Sequence, residues 1–196
     1  KILEICKRIK AVWEPSARVT RKGFQTIDNL FEKQNYELRT LHAVIKKEIF
    51  NFKRPINNQN IKRYITHVAP CIEVVGYRQR KKGIKYLGDL CSDFGANVKF
   101  VIGPKKKFKN QNVKNLKTKI FNKKINQSVN GNTNTVYINP MNSLLFVLKK
   151  LQKDKIKLKN NFYVFTGSSV GVVPILKKGI YKGVIDKLGS VSTRIN

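Results

Sequence analysis

Residues 161–195 constrain the fold most strongly, because short apolar runs there alternate with glycine, proline or lysine–glycine breaks. The runs cover residues 162–165, 170–175, 180–185 and 190–195. Apolar, β-branched runs of about four to eight residues between such breaks are typical of buried or half-buried strands. The intervening glycines allow tight turns and close backbone approaches. The stretch therefore predicts a compact β element that closes against strands from elsewhere in the chain.

The rest of the chain is predicted to alternate between strands and helices. The predicted elements are a helix over residues 1–12, a strand over 38–45, a helix over 60–67 ended by Pro70, strands over 71–75 and 98–103, and a helix over 141–151. The last helix has its leucines on one face and either Asn139 or Asn142 as its N-cap. Together these elements predict one domain over residues 1–196.

Residues 104–131 are predicted to form a basic insertion or hairpin. Nine lysines alternate there with apolar side chains. We expect an exposed two-stranded element, with the Asn130-Gly131 pair as the turn, because Asn-Gly is a strong hairpin signal. Cys6, Cys71 and Cys91 are too widely spaced for a Cys-x-x-Cys site and are expected to be buried free thiols. No apolar run is long enough to predict a membrane span.

The charge balance indicates a polyanionic partner. The chain has 41 Lys and Arg residues against 11 Asp and Glu residues, which gives a net charge of +30. A genome rich in A and T would raise the lysine, asparagine and isoleucine content, but it would not remove acidic residues. Between Asp93 and Asp154 the chain has 13 lysines and no acidic residue. This imbalance favours RNA as the partner over a membrane surface, since no basic amphipathic helix of the anchoring type is present in the pattern.

Two basic segments carry the candidate RNA contacts, and the alternative for each is a solvated charged loop. The first is residues 77–85, and the second is the lysine-rich segment 104–131, where aromatic residues are interleaved with the charges. The predicted RNA-binding residues are Arg78, Arg80, Lys81, Lys82, Lys85, Lys105, Lys106, Lys107, Lys109, Lys117, Lys119, Lys123 and Lys124.

Several short motifs resemble, in order, the 2-oxo-4-pentenoate hydratase and oxalocrotonate decarboxylase branch of the fumarylacetoacetate hydrolase superfamily. The motifs are PCIEVV at 70–75 followed by Arg78, Asp93 with Gly95-Ala96 leading to VIG at 101–103, NPMNSL at 139–144, FTGS at 165–168, VVP at 172–174 and LGSVS at 188–192. The resemblance implies an α/β domain of the superfamily's C-terminal type. Its sheet is rolled and mostly antiparallel, helices flank it, and the N-terminal part of the family fold is truncated or diverged.

The resemblance also implies a position for a metal site. Enzymes of this family hold Mg²⁺ or Mn²⁺ with a Glu-x-Glu pair on one strand and a third glutamate, which Glu73 matches. One alignment places the pair at Leu38 and Thr40, and an alignment shifted by one residue retains Glu37 but places Arg39 at the second position. We therefore expect no catalytic residues, no metal and no other cofactor. Glu73 is expected to be either a relic of the site, paired with Arg78 or a lysine, or a ligand.

These observations predict a non-catalytic RNA-binding structural protein on a hydratase-like fold. A component of a ribosome, and specifically a mitochondrial one that binds ribosomal RNA beside neighbouring proteins, is the expected setting. The first alternative is a metal-dependent hydratase or decarboxylase of 2-oxo acid enols, with Glu73, Asp93 and Ser168 in its pocket. The second is a structural subunit of another large complex, whose basic face meets acidic protein or anionic lipid.

Overall fold

The computed structural model describes residues 24–27, 35–51, 54–76, 96–137 and 139–196, with the backbone alone for 24–27 and 35–42. The predicted helix over 1–12 and the basic segment 77–85 lie outside these residues, as do Cys6 and Cys91. The elements are β1 Phe24–Ile27, β2 Asn35–Ile45, β3 Ile65–Val75, β4 Asn97–Ile102, β5 Lys106–Lys107, β6 Lys117–Asn122, β7 Gln127–Asn132, α1 Pro140–Lys153, β8 Phe162–Phe165, β9 Ser168–Pro174, β10 Gly179–Ile185 and β11 Gly189–Ile195. Short 3-10 helices cover Lys47–Asn51, Ile61–Tyr64, Lys123–Ile125 and Thr133–Thr135.

The described strands form two sheets. In the five-stranded sheet the order is β1-β11-β10-β6-β7, with β1 parallel to β11 and the other pairs antiparallel. In the six-stranded sheet the path is β4-β3-β2-β8, with β5 also paired to β3 and β9 also paired to β2, all antiparallel. This mostly antiparallel single domain with a flanking helix confirms the predicted fold class.

The hydrophobic core has two main parts. Between the sheets, Ile72 and Val74 of β3 are buried with Ile120, Tyr181 and Val191 of the five-stranded sheet. At one end of the molecule the buried face of α1 completes a second cluster with the ends of the strands and the loops beside them. Because alternate strand residues point to opposite faces, this arrangement leaves the odd-numbered positions of β3 on the far side from the five-stranded sheet.

The strands predicted in residues 161–195 are confirmed. They are β8 to β11, and β10 pairs with β11 in continuous register from Gly179 opposite Ile195 to Ile185 opposite Gly189. Tyr181 and Val191 point into the core, while Ile180 and Arg194 lie exposed on the other side. The alternation of burial follows the period of two that the apolar runs indicated.

Helix α1 is also confirmed, and the structure decides between its two candidate caps. The Asn139 side-chain Oδ1 accepts hydrogen bonds from the backbone N–H groups of Met141, at 3.0 Å, and Asn142, at 3.1 Å. Pro140 occupies the first turn, where a missing N–H costs nothing. The cap is therefore Asn139, and Asn142 is inside the helix.

The helix predicted over residues 60–67 is wrong. A short 3-10 helix ends at Tyr64, and β3 then continues from Ile65 through Pro70 to Val75. Pro70 has no N–H for the ladder, and the facing strand has a bulge at that point, between Arg39 and His42. A bulge is one of the few places where a sheet accommodates proline. Apolar spacing over one turn did not distinguish a 3-10 turn from an α-helix.

The predicted turn at Asn130-Gly131 is also wrong, although the hairpin itself is present. Both residues lie within β7, and the chain reverses through the 3-10 helix before Asn126, which takes the left-handed conformation at φ 51°. The hairpin is a full member of the five-stranded sheet, since β6 pairs with β10 and Thr118 and Ile120 are buried.

Gly131 is required by close packing. A Cβ atom built on Gly131 would lie 1.8 Å from the backbone oxygen of Ser169 on β9. No side chain can occupy that space unless the backbone of β7 or β9 moves, so glycine fixes the approach of the two sheets at this point.

We expect Gly131→Ala to lower the free energy of unfolding by at least about 2 kcal/mol, since overpacking against backbone cannot be relieved by a rotamer change. Urea denaturation measures the loss. Asn130→Ala, at the neighbouring exposed position of β7, is the control and should change stability by no more than about 0.5 kcal/mol. Equal stability of the two variants would contradict the packing assigned to Gly131.

Candidate functional site

Glu73 is a buried acid in the middle of the six-stranded sheet. It lies on β3 between Ile72 and Val74, which face the core, and it is 2% exposed. The side-chain Nδ2 of Asn97, the first residue of β4, donates a hydrogen bond of 2.5 Å to Glu73 Oε1. A buried carboxyl group needs such partners, because desolvation without them is costly.

The strand register shows which residues of β2 share a face with Glu73. In the β2–β3 pair, Glu37 lies opposite Glu73, and Arg39 lies opposite Cys71. Directly opposed residues of an antiparallel pair are neighbours on one face of the sheet. Glu37 and Arg39 therefore occupy the register positions on the face of Glu73, as in the alignment that retains Glu37, whereas Leu38 is opposite Ile72.

An aromatic pair lies on the other side of Glu73. Phe100 of β4 is opposite Glu73, and its ring stacks on that of Phe165 with centroids 3.7 Å apart and planes 6° apart. The two rings pack on a small buried cluster that contains the free thiol of Cys71, as predicted for that cysteine. On β4, the neighbours of Glu73 thus include the Asn97 amide and, at the directly opposite register position, Phe100.

The described side chains do not make up a ligand set for a hard dication. Among them, no group of three or more His, Cys, Asp or Glu side chains could hold a metal ion. Mg²⁺ prefers six oxygen ligands in an octahedral arrangement. Of the other expected pocket residues, Asp93 lies outside the described residues, and the Ser168 hydroxyl donates to the Gly171 carbonyl at 3.2 Å. Ser168 therefore stabilises a local turn.

Part of the predicted RNA-binding set lies near β5. Lys105 Nζ donates to the Tyr163 hydroxyl at 2.8 Å and lies 4.9 Å from the ring centroid. Lys106 Nζ donates to the Lys187 carbonyl at 2.9 Å, whereas Lys107 and Lys109 are exposed. Arg78, Arg80, Lys81, Lys82 and Lys85 lie outside the described residues.

The remaining predicted lysines belong to the β6–β7 hairpin. Lys117 and Lys119 are exposed on β6, and Lys123 and Lys124 are exposed at its turn. The structure therefore separates the predicted set into a group beside β5 and a group on the hairpin. Sequence reasoning missed Lys182 and Arg194, which the pairing of β10 and β11 brings onto the same sheet as Lys117 and Lys119.

Few of these charges are neutralised locally. Within the described part of the chain, the ion pair formed is Lys150 with Asp154, 3.0 Å apart in the last turn of α1. An exposed pair of this kind contributes little to stability. The other lysines of residues 94–153 form no ion pair with the described acids.

Comparison with solved structures identifies the fold. The 4-oxalocrotonate decarboxylase from Pseudomonas putida G7, complexed with magnesium and adipate, matches with a TM-score of 0.72 at 18% identity, over 89% of this chain and 65% of that one. The maleylpyruvate hydrolase from Sphingobium sp. SYK-6 matches with a TM-score of 0.59 at 14% identity, over 89% and 61%. The 5-carboxymethyl-2-hydroxymuconate delta-isomerase from Mycobacterium smegmatis matches with a TM-score of 0.57 at 12% identity, over 87% and 62%.

The chain therefore has the fold of the fumarylacetoacetate hydrolase superfamily, as its motifs indicated. It spans somewhat less than two thirds of the length of these structures, and the neighbours named above are enzymes. At the level of sequence, no family profile and no curated protein matches the chain. No helix in the described part is long and apolar enough to span a membrane.

We expect Asn97→Ala to lower the free energy of unfolding by about 1–3 kcal/mol, because the buried Glu73 carboxyl group loses a donor. In the Glu73→Gln background the same substitution should lower the free energy of unfolding by a smaller amount. A double-mutant cycle measured by urea denaturation should therefore give a coupling free energy of about 1 kcal/mol or more. Strictly additive costs would show that the Asn97 bond does not stabilise Glu73.

Proposed function

We propose that this chain is a non-catalytic RNA-binding structural protein built on a hydratase-like fold. One observation carries the proposal. Of the 13 lysines in the acid-free residues 94–153, all except Lys99 are exposed. Lys150 alone among them forms an ion pair within the described residues. Exposed, uncompensated positive charge of this density favours binding to a polyanion and opposes self-association.

The physical basis of the proposal is counterion release. Each lysine that neutralises a phosphate displaces a condensed cation from RNA, and the entropy of that release drives association without regard to sequence. Binding of this type suits a protein held at a fixed place in a large ribonucleoprotein. We infer a ribosomal setting, with ribosomal RNA and neighbouring proteins as partners and the mitochondrion as the compartment.

Two features near Glu73 support a binding role over catalysis. Arg39 lies at the register position where a second carboxylate would be needed, two residues after Glu37. On β4 the residue opposite Glu73 is Phe100, whose ring stacks on that of Phe165 from β8, and neither ring offers an oxygen ligand. A cation and an aromatic pair both oppose the binding of a hard dication.

Purified protein should bind RNA far more tightly than a neutral protein of its size at about 0.15 M salt. If it contacts about ten phosphates, the log–log slope of affinity against salt should be near −9 on duplex RNA and near −7 on single strands. Fluorescence anisotropy with labelled RNA at several salt concentrations measures both quantities. Affinity no better than that of the neutral protein would overturn the proposal.

Ribonuclease treatment tests the cellular setting. Co-sedimentation of the protein with a large particle should be lost after digestion of RNA. Retention on a ribonuclease-treated particle would instead favour acidic protein or anionic lipid as the partner of the basic surface.

A second candidate function is a metal-dependent hydratase or decarboxylase of 2-oxo acid enols. The position of Glu37 opposite Glu73 favours it, because two carboxylates on neighbouring strands can share one ion. The solved neighbours also favour it, since they are enzymes and one of them holds magnesium.

On the proposed function, the chain should not turn over a 2-hydroxydienoate in the presence of Mg²⁺ or Mn²⁺. The assay follows loss of the dienol absorbance, with Glu73→Gln as the matched variant because it preserves shape and removes the charge. Metal-dependent turnover by the parent chain that Glu73→Gln abolishes would show that the chain is an enzyme and would exclude the proposed non-catalytic role.

A further inference from the structure

The five-stranded sheet has one face that is not part of the core. The strand registers place alternate residues of β6, β7, β10 and β11 together on this side, which we call the outer sheet face. Its residues are Lys117, Lys119 and Phe121 of β6, Ser128, Asn130 and Asn132 of β7, Ile180, Lys182 and Val184 of β10, and Ser190, Ser192 and Arg194 of β11. All of them are exposed or half-buried.

The outer sheet face is positively charged and rich in small polar groups. Lys117 and Lys119 lie two positions apart on β6, about 6.6 Å along the strand. Lys182 lies on the next strand, and Arg194 on the one beyond it. Among the described acids, Asp186 is the one near this face, and it follows the last residue of β10 at the margin. The face is therefore a shallow basic surface whose hydroxyl and amide groups can accept or donate hydrogen bonds.

Phe121 gives this surface an aromatic group among cations. Its ring is half-buried, and Lys119 Nζ lies 5.6 Å from the ring centroid. Lys182 is opposite Phe121 on β10, and Ser128 is opposite it on β7. The Phe121 ring thus has a cation on its own strand, a cation on one neighbouring strand and a small hydroxyl side chain on the other. These are the components of a base-stacking site. The ring supplies the stacking surface and the lysines supply phosphate contacts.

These features distinguish single-stranded RNA from the other occupants of such a surface. A paired base is already stacked inside its helix, so a ring on an open sheet gains most from an unpaired base. The cores of protein–protein interfaces are depleted of lysine, whereas Lys119 and Lys182 both lie beside Phe121.

We propose that the outer sheet face is the binding site for a single-stranded segment of RNA, in which Phe121 stacks on a base and Lys119 and Lys182 contact phosphates. The proposal rests on the proposed RNA-binding function and assigns it a site and a strand state. It also separates the hairpin lysines Lys117 and Lys119 from the group beside β5, where Lys105 and Lys106 are bonded to the protein itself.

Two variants of the outer sheet face test the proposal, and each is compared with a control variant of α1 that loses the same number of charges or the same aromatic ring. Lys119→Gln with Lys182→Gln removes two charges from the outer sheet face, and Lys149→Gln with Lys153→Gln removes two exposed charges from α1. Phe121→Leu removes the ring but keeps an apolar group, and Phe146→Leu does the same at a 60% exposed position of α1. The probes are a labelled oligouridine of about 12 nucleotides and an RNA duplex of the same length, with urea midpoints to confirm that each variant is folded.

We expect the outer-face lysine pair to lower affinity for oligouridine about tenfold at about 0.15 M salt, and to reduce the magnitude of the salt slope by about 1.4. Phe121→Leu should lower the affinity for oligouridine at least about fivefold and leave the salt slope unchanged, because stacking releases no counterion. The α1 variants should change affinity no more than about twofold. Phe121→Leu should leave duplex binding unchanged, and ultraviolet cross-linking to oligouridine should modify the tryptic peptide that contains Phe121.

Failure of this proposal is distinguishable from failure of the proposed function. One outcome is that the parent chain binds RNA with an affinity that the two double lysine substitutions lower equally, or that the α1 substitutions lower more. In either case the outer sheet face is not the site, and RNA binding stands. If the lysines matter but Phe121→Leu has no effect on oligouridine, the single-strand stacking role is excluded. If the parent chain binds no RNA, the proposed function fails and this inference with it.

Discussion

The antiparallel pairing of β2 with β3 determines the position of every other strand in the six-stranded sheet. β3 carries β4 and β5 on its second edge, and β2 carries β8 and β9 on the other. The bulge opposite Pro70 allows a proline inside β3 without a lost ladder bond. A slip of one residue in this pairing would turn Ile72 and Val74 away from the five-stranded sheet and turn Glu73 toward it. The register is therefore fixed by burial, and the opposition of Glu37 and Glu73 follows from it.

The same separation of faces explains how a basic chain can keep this fold. Apolar residues of both sheets meet in one core, where Ile120, Tyr181 and Val191 contact Ile72 and Val74. The charges lie on the sides that point away from it, so added lysines do not disturb the packing. A fold constrains its core and leaves its surfaces open to different functions. The likeness to enzymes of 12–18% identity consequently defines the architecture and not the activity.

Elements with an uninterrupted local pattern were predictable from the sequence. Strands β8 to β11 and helix α1 follow from apolar runs between glycines and from a leucine face behind an asparagine cap. Predictions failed where a distant partner decides the local conformation. From the sequence alone Pro70 predicts the end of a helix, but the bulge in β2 accommodates it within a strand. Asn130-Gly131 likewise predicts a turn, but Gly131 is there because Ser169 packs closely against it. Lys182 could not be grouped with Lys119, since only strand pairing makes them neighbours.

Polyanion binding and metal binding place opposite electrostatic demands on one chain. A site for Mg²⁺ concentrates carboxylates on neighbouring strands, and surrounding lysines lower its affinity for a dication by raising the local potential. A site for RNA needs distributed cations with few acids among them. At about 0.15 M salt the field of a surface charge decays over about 8 Å, so distant lysines matter little and near ones matter strongly. The decisive position is therefore Arg39, beside the Glu37–Glu73 pair in the register. A cation at that register position disfavours a dication, which supports the proposal that the partner of this chain is RNA and not a metal ion.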